Sequence, residues 1–398
     1  MIFLRKKLIF CWLFIFLMLI PNYSQAWGFF GHRLINRTAV FTLPPEMIVF
    51  YKYYIIYITE KAVNPDARRY AVEGEAPKHF IDADVYDKYY GGKGTAIHKL
   101  PRYWKDAVAE FGADTLLEYG TGPWNVEDMK HRLTRAFERR DAREILRLSS
   151  DLGHYVADIN VPLHTTENYN GQFTNQRGIH GFWESRLPEL FSNEYDLFVG
   201  QARYLENTQL AAWEAVINAH MALDSVFDFE RILTERFDES KKYSFEQRGR
   251  STIKTYSRPF SEAYHNMLAG QVERRFRASI KMVGDFWYTC WVDAGKPDLE
   301  GLISKKVLEE EMKEMEEERQ KEQRILARPH ETLSYLMMPW QSKIMDNLAH
   351  NHQIRTCRCD HGHSAEVDYQ SPDFQRLLNY DFEKPRQHLH NTCTDHQH

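Results

Sequence analysis

The chain has 398 residues, 43% hydrophobic, 14% aromatic and 27% charged, which excludes collagen-like, low-complexity and wholly disordered proteins. Lys and Arg total 51 against 56 Asp and Glu, so the formal net charge is -5 and a broad basic nucleic-acid-binding surface is disfavoured. Histidine is abundant, with 18 residues, and its placement carries the argument below.

Residues 1–26 read as a secretory signal peptide. Arg5, Lys6 and Lys7 precede an unbroken apolar run from Leu8 to Ile20, 13 residues long and short for a membrane span. Ser24-Gln25-Ala26 puts small residues where a signal peptidase reads them. Cys11 lies within the apolar run, which does not fit a lipoprotein cysteine. The alternative is an uncleaved membrane anchor. Cleavage after Ala26 exposes Trp27 as the mature terminus, leaves no stable membrane span and shifts the charge to about -8, because three basic residues depart. Such a chain is exported to the periplasm, the cell surface or the medium. Export implies an oxidising compartment, but Cys290 stands alone and Cys357, Cys359 and Cys393 all lie near the C-terminus, so no disulfide scaffold is expected for the main body.

Helical periodicity dominates the remainder, and no strong alternating strand pattern precedes residue 300. Pro44-Pro45-Glu46 opens an apolar, aromatic helix to about Thr59. Asn125 followed by Asp128 predicts an N-cap with early acidic charge. Ile145, Leu148, Leu152, Tyr155, Val156 and Ile159 mark one face of a helix that Pro162 stops. Residues 205–224, 244–267 and 271–293 read as further helices. Composition shifts near Gly295-Lys296-Pro297. Residues 304–324 are mostly charged and predict a solvated helix with ion pairs four residues apart. The tail beyond holds nine of the histidines; its Cys357-Arg358-Cys359-Asp360-His361-Gly362-His363 stretch reads either as a metal-binding element or as part of a flexible histidine-rich tail.

The chemistry concentrates in one segment. His154 and Asp158 are four residues apart on the predicted helix and therefore share a face. His164 follows just beyond Pro162, and His180 and Glu184 repeat the His/carboxylate spacing. Imidazole with carboxylate is a good zinc ligand set. One such pair is usually a surface contact; two pairs bracketing a third histidine point to metal. Upstream stand Asp66, in Asn-Pro-Asp-Ala-Arg-Arg, and His79-Phe80-Ile81-Asp82. At the predicted mature start is Trp27-Gly-Phe-Phe-Gly-His32, where a free terminal amine and its carbonyl form a bidentate chelate.

This ordered set resembles the superfamily of bacterial zinc-dependent phospholipases C and fungal and plant zinc-dependent single-strand nucleases. The resemblance runs from Trp27 to Glu184 and resumes in the helix Arg277 to Asp293, with Phe286, Trp287 and Trp291, which is similar to the family's closing helix. It implies an all-α fold: a single helical domain over residues 27–300, followed by a charged helix and His/Cys-rich extension over 301–398. It also implies three zinc ions. Asp66, His79, His154 and Asp158 would hold one; the Trp27 amine and carbonyl with His32 would hold a second, bridged by Asp158; and His164, His180 and Glu184 would hold the third. The implied activity is hydrolysis of phosphoric diesters, with Asp66 orienting or deprotonating water and Arg69 meeting the phosphate.

The substrate is divided between phospholipid and single-stranded nucleic acid. The Trp27–His32 spacing, Asp66-x-x-Arg69 and His79-Phe80-Ile81-Asp82 resemble the nucleases, in which the Phe stacks a base and the Asp hydrogen-bonds it. Glu184 as the last ligand and the short loop from His164 to His180 resemble the phospholipases. Phe30, Ala67 and Ala76 stand where a choline cage would carry an acid and two aromatics, so phosphatidylcholine is not favoured. The chain as a whole, including Leu43-Pro44-Pro45-Glu46 and 70–80, is most similar to secreted bacterial proteins grouped with the phospholipases. Competing readings make Phe80 a core residue, pair Arg69 with a nearby carboxylate, and make the protein a non-catalytic zinc-binding helical one.

Overall fold

Asp141 begins the central helix of the fold by accepting the Glu144 amide at 3.1 Å, an N-cap that satisfies one of the helix's free first-turn donors. The computed structural model describes residues 28–69, 71–248 and 251–326; the predicted leader, Trp27 and the cysteine- and histidine-rich tail lie outside the described residues. In chain order the main helices are α1 (Gly28–Ala39), α2 (Pro45–Tyr53), α3 (Ile55–Glu60), α4 (Asn64–Arg68), α5 (Gly122–Glu138), α6 (Ala142–Asp158), α7 (Thr208–His220) and α8 (Leu223–Arg236). A two-stranded hairpin follows, β1 (Tyr243–Arg248) and β2 (Ser251–Tyr256), and then α9 (Arg258–Met267), α10 (Gln271–Asp293) and α11 (Lys305–Leu326). The fold is all-α apart from that hairpin. Residues 28–245 and 254–326 form one compact unit, and residues 246–253 at the hairpin's outer end belong to a second.

The capped helix α6 packs against α1, α5 and α10. From Leu148 to Asp158 every side is buried, so it is the core helix of the unit. Its polar groups are satisfied inside: Asn36 donates to the Ser150 carbonyl at 3.0 Å, Trp287 to the Ser149 carbonyl at 3.0 Å, and the Tyr51 and Ser149 hydroxyls pair at 2.8 Å. Gly153 lets α1 come this close, because a Cβ there would overlap the Asn36 amide.

Several boundaries differ from the sequence reading. The aromatic stretch after Pro44 is two helices broken at Tyr54, whose hydroxyl accepts the Ser304 amide at 2.9 Å. The α5 helix starts at Gly122, not at Asn125, because Pro123 supplies a preformed φ in its first turn. Residues 205–224 contain a break, with Asn207 capping α7 and α8 beginning at Leu223. The first half of 244–267 is the hairpin and not a helix. There, Lys254 lies 4.0 Å from the Tyr243 ring centroid, and the Tyr243 and Tyr256 rings are 5.1 Å apart, cross-strand contacts that favour pairing. The charged helix expected over 304–324 is present as α11, with Lys305–Glu309, Lys306–Glu310 and Lys313–Glu317 pairs. It is also tied to the body by Lys61–Glu318 at 2.5 Å and by Arg143 with Glu310 and Glu311. Among the described residues, no helix is long and apolar enough to cross a membrane.

Gly153→Ala is expected to destabilise the chain by about 1–3 kcal/mol through overpacking against Asn36, despite the better helix propensity of alanine. Urea unfolding measures this, and an unchanged midpoint would show that α1 and α6 have room to spare.

Candidate metal centre

Each described turn of chain that carries a predicted ligand ends or begins at the same buried point. His32 comes from α1, Asp66 from the one-turn α4, and His154 and Asp158 from the last turn of α6. His79 closes the short turn Ala76–His79, and His164 lies in the turn Pro162–Thr165 that begins where the proline stops further α-helix. His180 is in Ile179–Gly181, and Glu184 sits in the π-helical turn Phe182–Arg186 that follows it directly. Phe182 is held by stacking on Tyr256 at 3.8 Å, so the hairpin base braces that widened turn. None of the eight side chains belongs to a residue more than 4% exposed.

The side chains converge in three groups: His32, His154 and Asp158; Asp66, His79 and His154; and His164, His180 and Glu184. Asp158 lies between them. Its Oδ1 is 3.3 Å from His32 Nε2 and 4.0 Å from His164 Nδ1, while its Oδ2 is 2.8 Å from His79 Nδ1 and 3.2 Å from His154 Nε2. Asp66 Oδ1 is 3.9 Å from His79 Nδ1 and 3.8 Å from His154 Nε2. In the third group Glu184 Oε2 is 2.8 Å from His180 Nε2 and 3.6 Å from His164 Nε2.

Two backbone carbonyls fix the tautomers. His154 Nδ1 donates to Ala62 O at 2.8 Å and His164 Nδ1 to His79 O at 2.5 Å, so in each ring Nε2 is the nitrogen turned inward. Ile81 N donates back to His164 O at 2.9 Å, sewing the His79–Asp82 segment to the His164 turn.

The donor atoms fit divalent metal. His32 Nδ1 and Nε2, both Asp66 oxygens, His79 Nε2, Asp158 Oδ1, His164 Nε2, both His180 nitrogens and both Glu184 oxygens are buried without a hydrogen-bond partner. Burial pushes the imidazoles of His32 and His180 down to about 3 and that of His79 to about 4. Burial likewise raises the carboxyl groups of Asp66 to about 7 and Glu184 to about 8. Burial opposes charge on His154 and Asp158 too, but their mutual attraction wins: the His154 imidazole rises to about 9, and Asp158, beside His154 and His164, stays well below the usual carboxylate range. Protein contacts alone leave this pocket with unmet lone pairs and carboxylates resisting ionisation, which a cation relieves.

Arg69 lies at the cluster's partly exposed edge. Its charge acts on Asp66, His79, Asp82 and His180, its Cζ is 6.0 Å from the Phe80 ring centroid, and its guanidinium forms no salt bridge among the described residues. The pairing with a nearby acid that the sequence left open is therefore absent there, and half-buried Phe80 is not an ordinary core residue. Asp82 is buried beside Asp84 and Glu167, and burial first, then those charges, push its carboxyl up to about 8. Trp27 lies outside the described residues. Gly28, with φ +48°, is buried against Ser185, where an added Cβ would come within 2.5 Å of the hydroxyl oxygen, so α1 starts beside the Glu184 turn. Sequence reasoning missed the two carbonyl partners, for which no side-chain signal exists, and a set of buried ion pairs around Arg68, for which the doubled arginine was the signal.

No family profile matches the chain, and no curated protein matches it. Among solved structures it is similar to the alpha toxin from Clostridium absonum, with a TM-score of 0.39 and 10% identity over 72% of this chain and 68% of that one.

If these groups hold metal, Asp158→Ala should remove more ions per chain than Glu184→Ala, because the Asp158 oxygens lie within 3.3 Å of His32, His79 and His154, which belong to two groups. Elemental analysis of the purified variants decides this, and equal losses would contradict a shared carboxylate. Chelation should lower stability by about 4 kcal/mol for each site held at a thousandfold above its Kd.

Proposed function

We propose that the chain is an exported trizinc hydrolase of phosphoric diesters, with phospholipids as the leading substrate class. The observation that carries this reading is the single buried Asp158 carboxylate, which offers its two oxygens to different histidines while a third ligand group lies alongside. Mixed imidazole and carboxylate donors in a buried, compact set suit zinc better than magnesium or calcium, which take oxygen-rich shells. Asp66, His79, His154 and Asp158 would hold one ion, the Trp27 amine and carbonyl with His32 and Asp158 a second, and His164, His180 and Glu184 the third. The chemistry zinc supplies when bound is Lewis-acid polarisation of a phosphoryl oxygen and acidification of water.

The chain's own residues do the rest. Asp66 has two buried, unpartnered oxygens that can orient the attacking water or take its proton. Arg69, which has no salt bridge among the described residues, neutralises a phosphate oxygen with a fork of N–H donors. The water oxygen bonds to phosphorus, the bond to the leaving alkoxide breaks, and the proton released by water ends on that alcohol.

The lipid reading is supported by exposed aromatics beside the third group. Phe29 and Phe30 begin α1, and Tyr169, whose ring is 5.9 Å from that of His180, shares a cross-linked loop with Phe173, which is 66% exposed. A second reading, a nuclease acting on single-stranded DNA or RNA, is favoured by Arg69 against a half-buried Phe80 with Asp82 two residues on.

Side-by-side assay of the zinc-loaded chain beginning at Trp27 on bis-p-nitrophenyl phosphate, phospholipid vesicles, single-stranded DNA and RNA tests this. Turnover is expected on the generic diester and on vesicles; DNA or RNA turnover alone would select the second reading, and no turnover with full zinc would leave a non-catalytic zinc protein. Arg69→Ala should lower kcat/KM by about 10- to 100-fold, the worth of hydrogen bonds to a charged group. A chain retaining one residue before Trp27 should lose zinc and activity together, because the chelating amine becomes an amide; full zinc and full activity in that chain would refute the terminal ligand.

A further inference from the structure

The ligands of the third group are aimed in two ways. A backbone carbonyl orients His164, but both His180 nitrogens and both Glu184 oxygens are buried without a hydrogen-bond partner, so their direction depends on the turns that carry them. Gln176 ties the loop that leads into those turns. Its amide donates to Gly171 O at 2.9 Å, and its carbonyl accepts from Ile179 N at 3.1 Å, one residue before His180. Its side chain reaches across to α8, where Nε2 donates to Phe227 O at 2.8 Å and to Glu230 Oε2 at 2.7 Å. The other oxygen of Glu230 faces the hairpin base. Oε1 lies 2.8 Å from Lys242 Nζ and accepts from the Tyr256 hydroxyl at 3.3 Å and from Thr234 Oγ1 at 3.0 Å. Tyr256 is the residue stacked on Phe182, which stands between His180 and Glu184 in the chain. Glu230 is 1% exposed and Gln176 8%.

A carboxylate this far from water must have its charge met, and Lys242 meets it at Oε1. Oε2 is then a strong acceptor whose partner among the described residues is Gln176, in a short charge-assisted bond. One buried charge thus holds the segment before His180 through one oxygen and the ring stacked on Phe182 through the other. The remaining ligands come from α1, α4, α6 and the turns of His79 and His164, which share none of these contacts. We propose that Glu230 is a positioning residue for the third metal group: by gripping Gln176 and Tyr256 it fixes the turns of His180 and Glu184, and so sets how tightly that group alone takes zinc. This deepens the trizinc reading and rests on it for the identity of the ion.

A general brace and a positioning residue differ in which ion is lost. In Gln176→Leu, Glu230 keeps Lys242, Thr234 and Tyr256, so the fold survives while the tether to the His180 turn is cut. Zinc-buffered titration of the chain beginning at Trp27, read by elemental analysis, should give three ions in the wild type. In Gln176→Leu one of them should bind about tenfold more weakly, the scale of one hydrogen bond to a charged group, with the other two unchanged. Adding Gln176→Leu to His180→Ala should change nothing further, because the affected ion has already lost its ligand. Glu230→Gln keeps a carbonyl for Lys242 but sets an amide nitrogen opposite Gln176; it should weaken the same ion, and it decides the matter if Gln176→Leu fails to fold. Unchanged affinity for that ion in a folded variant, or equal weakening of all three, would overturn the inference. A wild type with no ion at His164, His180 and Glu184 would overturn this inference and the trizinc reading together, whereas three ions indifferent to both variants would overturn this inference alone.

Discussion

A carboxylate with no exposed surface, set at the last turn of the most buried helix, is the constraint around which this chain is arranged. Asp158 faces His32 through one oxygen and His79 and His154 through the other. Bringing those partners together requires α1 to approach α6 at Gly153, α4 and the His79 turn to pack over the helix end, and the chain to turn at Pro162 so that His164 returns to the same point. The core aromatics Tyr51 and Trp287 are hydrogen-bonded to Ser149, so the helix is fixed along its length before it reaches the ligands. Packing and site are thus one design: the helix most immune to water is the one that carries the charges.

Such an arrangement is electrostatically expensive without a cation. Burial keeps His32, His79 and His180 neutral and discourages Asp66 and Glu184 from ionising, and many of their polar atoms have no protein partner. A dication replaces several unfavourable desolvations by direct coordination, which is why metal and folding should be coupled here. The Ala62 and His79 carbonyls already orient His154 and His164, so the backbone sets these two candidate ligands without help from an ion.

How much of this the sequence disclosed depended on whether position implied direction. His154 with Asp158, and His180 with Glu184, were readable because four-residue spacing on a helix forces one face. Asp66 and His79 have no such local geometry, and only their order along the chain, through a resemblance, placed them in the set. The carbonyls of Ala62 and His79 were invisible, since every residue offers one. The first part of 244–267 read as helix because Glu, Gln, Arg and Lys interrupt a short alternation begun by Tyr243 and Phe245, and the pairing that settles the matter is cross-strand. Asn125 looked like a cap, but the proline two residues earlier starts the helix. Arg68 and Arg69 are chemically identical in the sequence; their separate environments come from a bidentate contact across the fold to Asp151.

In the proposed function, Asp158 is shared by neighbouring zinc ions. Anomalous diffraction at the zinc absorption edge, from crystals of the chain beginning at Trp27, tests it most directly. Peaks are expected within about 2.0–2.2 Å of each Asp158 oxygen, belonging to two ions about 3.5–4 Å apart. An Asp158 carboxylate hydrogen-bonded only to protein in zinc-soaked crystals, with no peak among His32, His79 and His154, would contradict it.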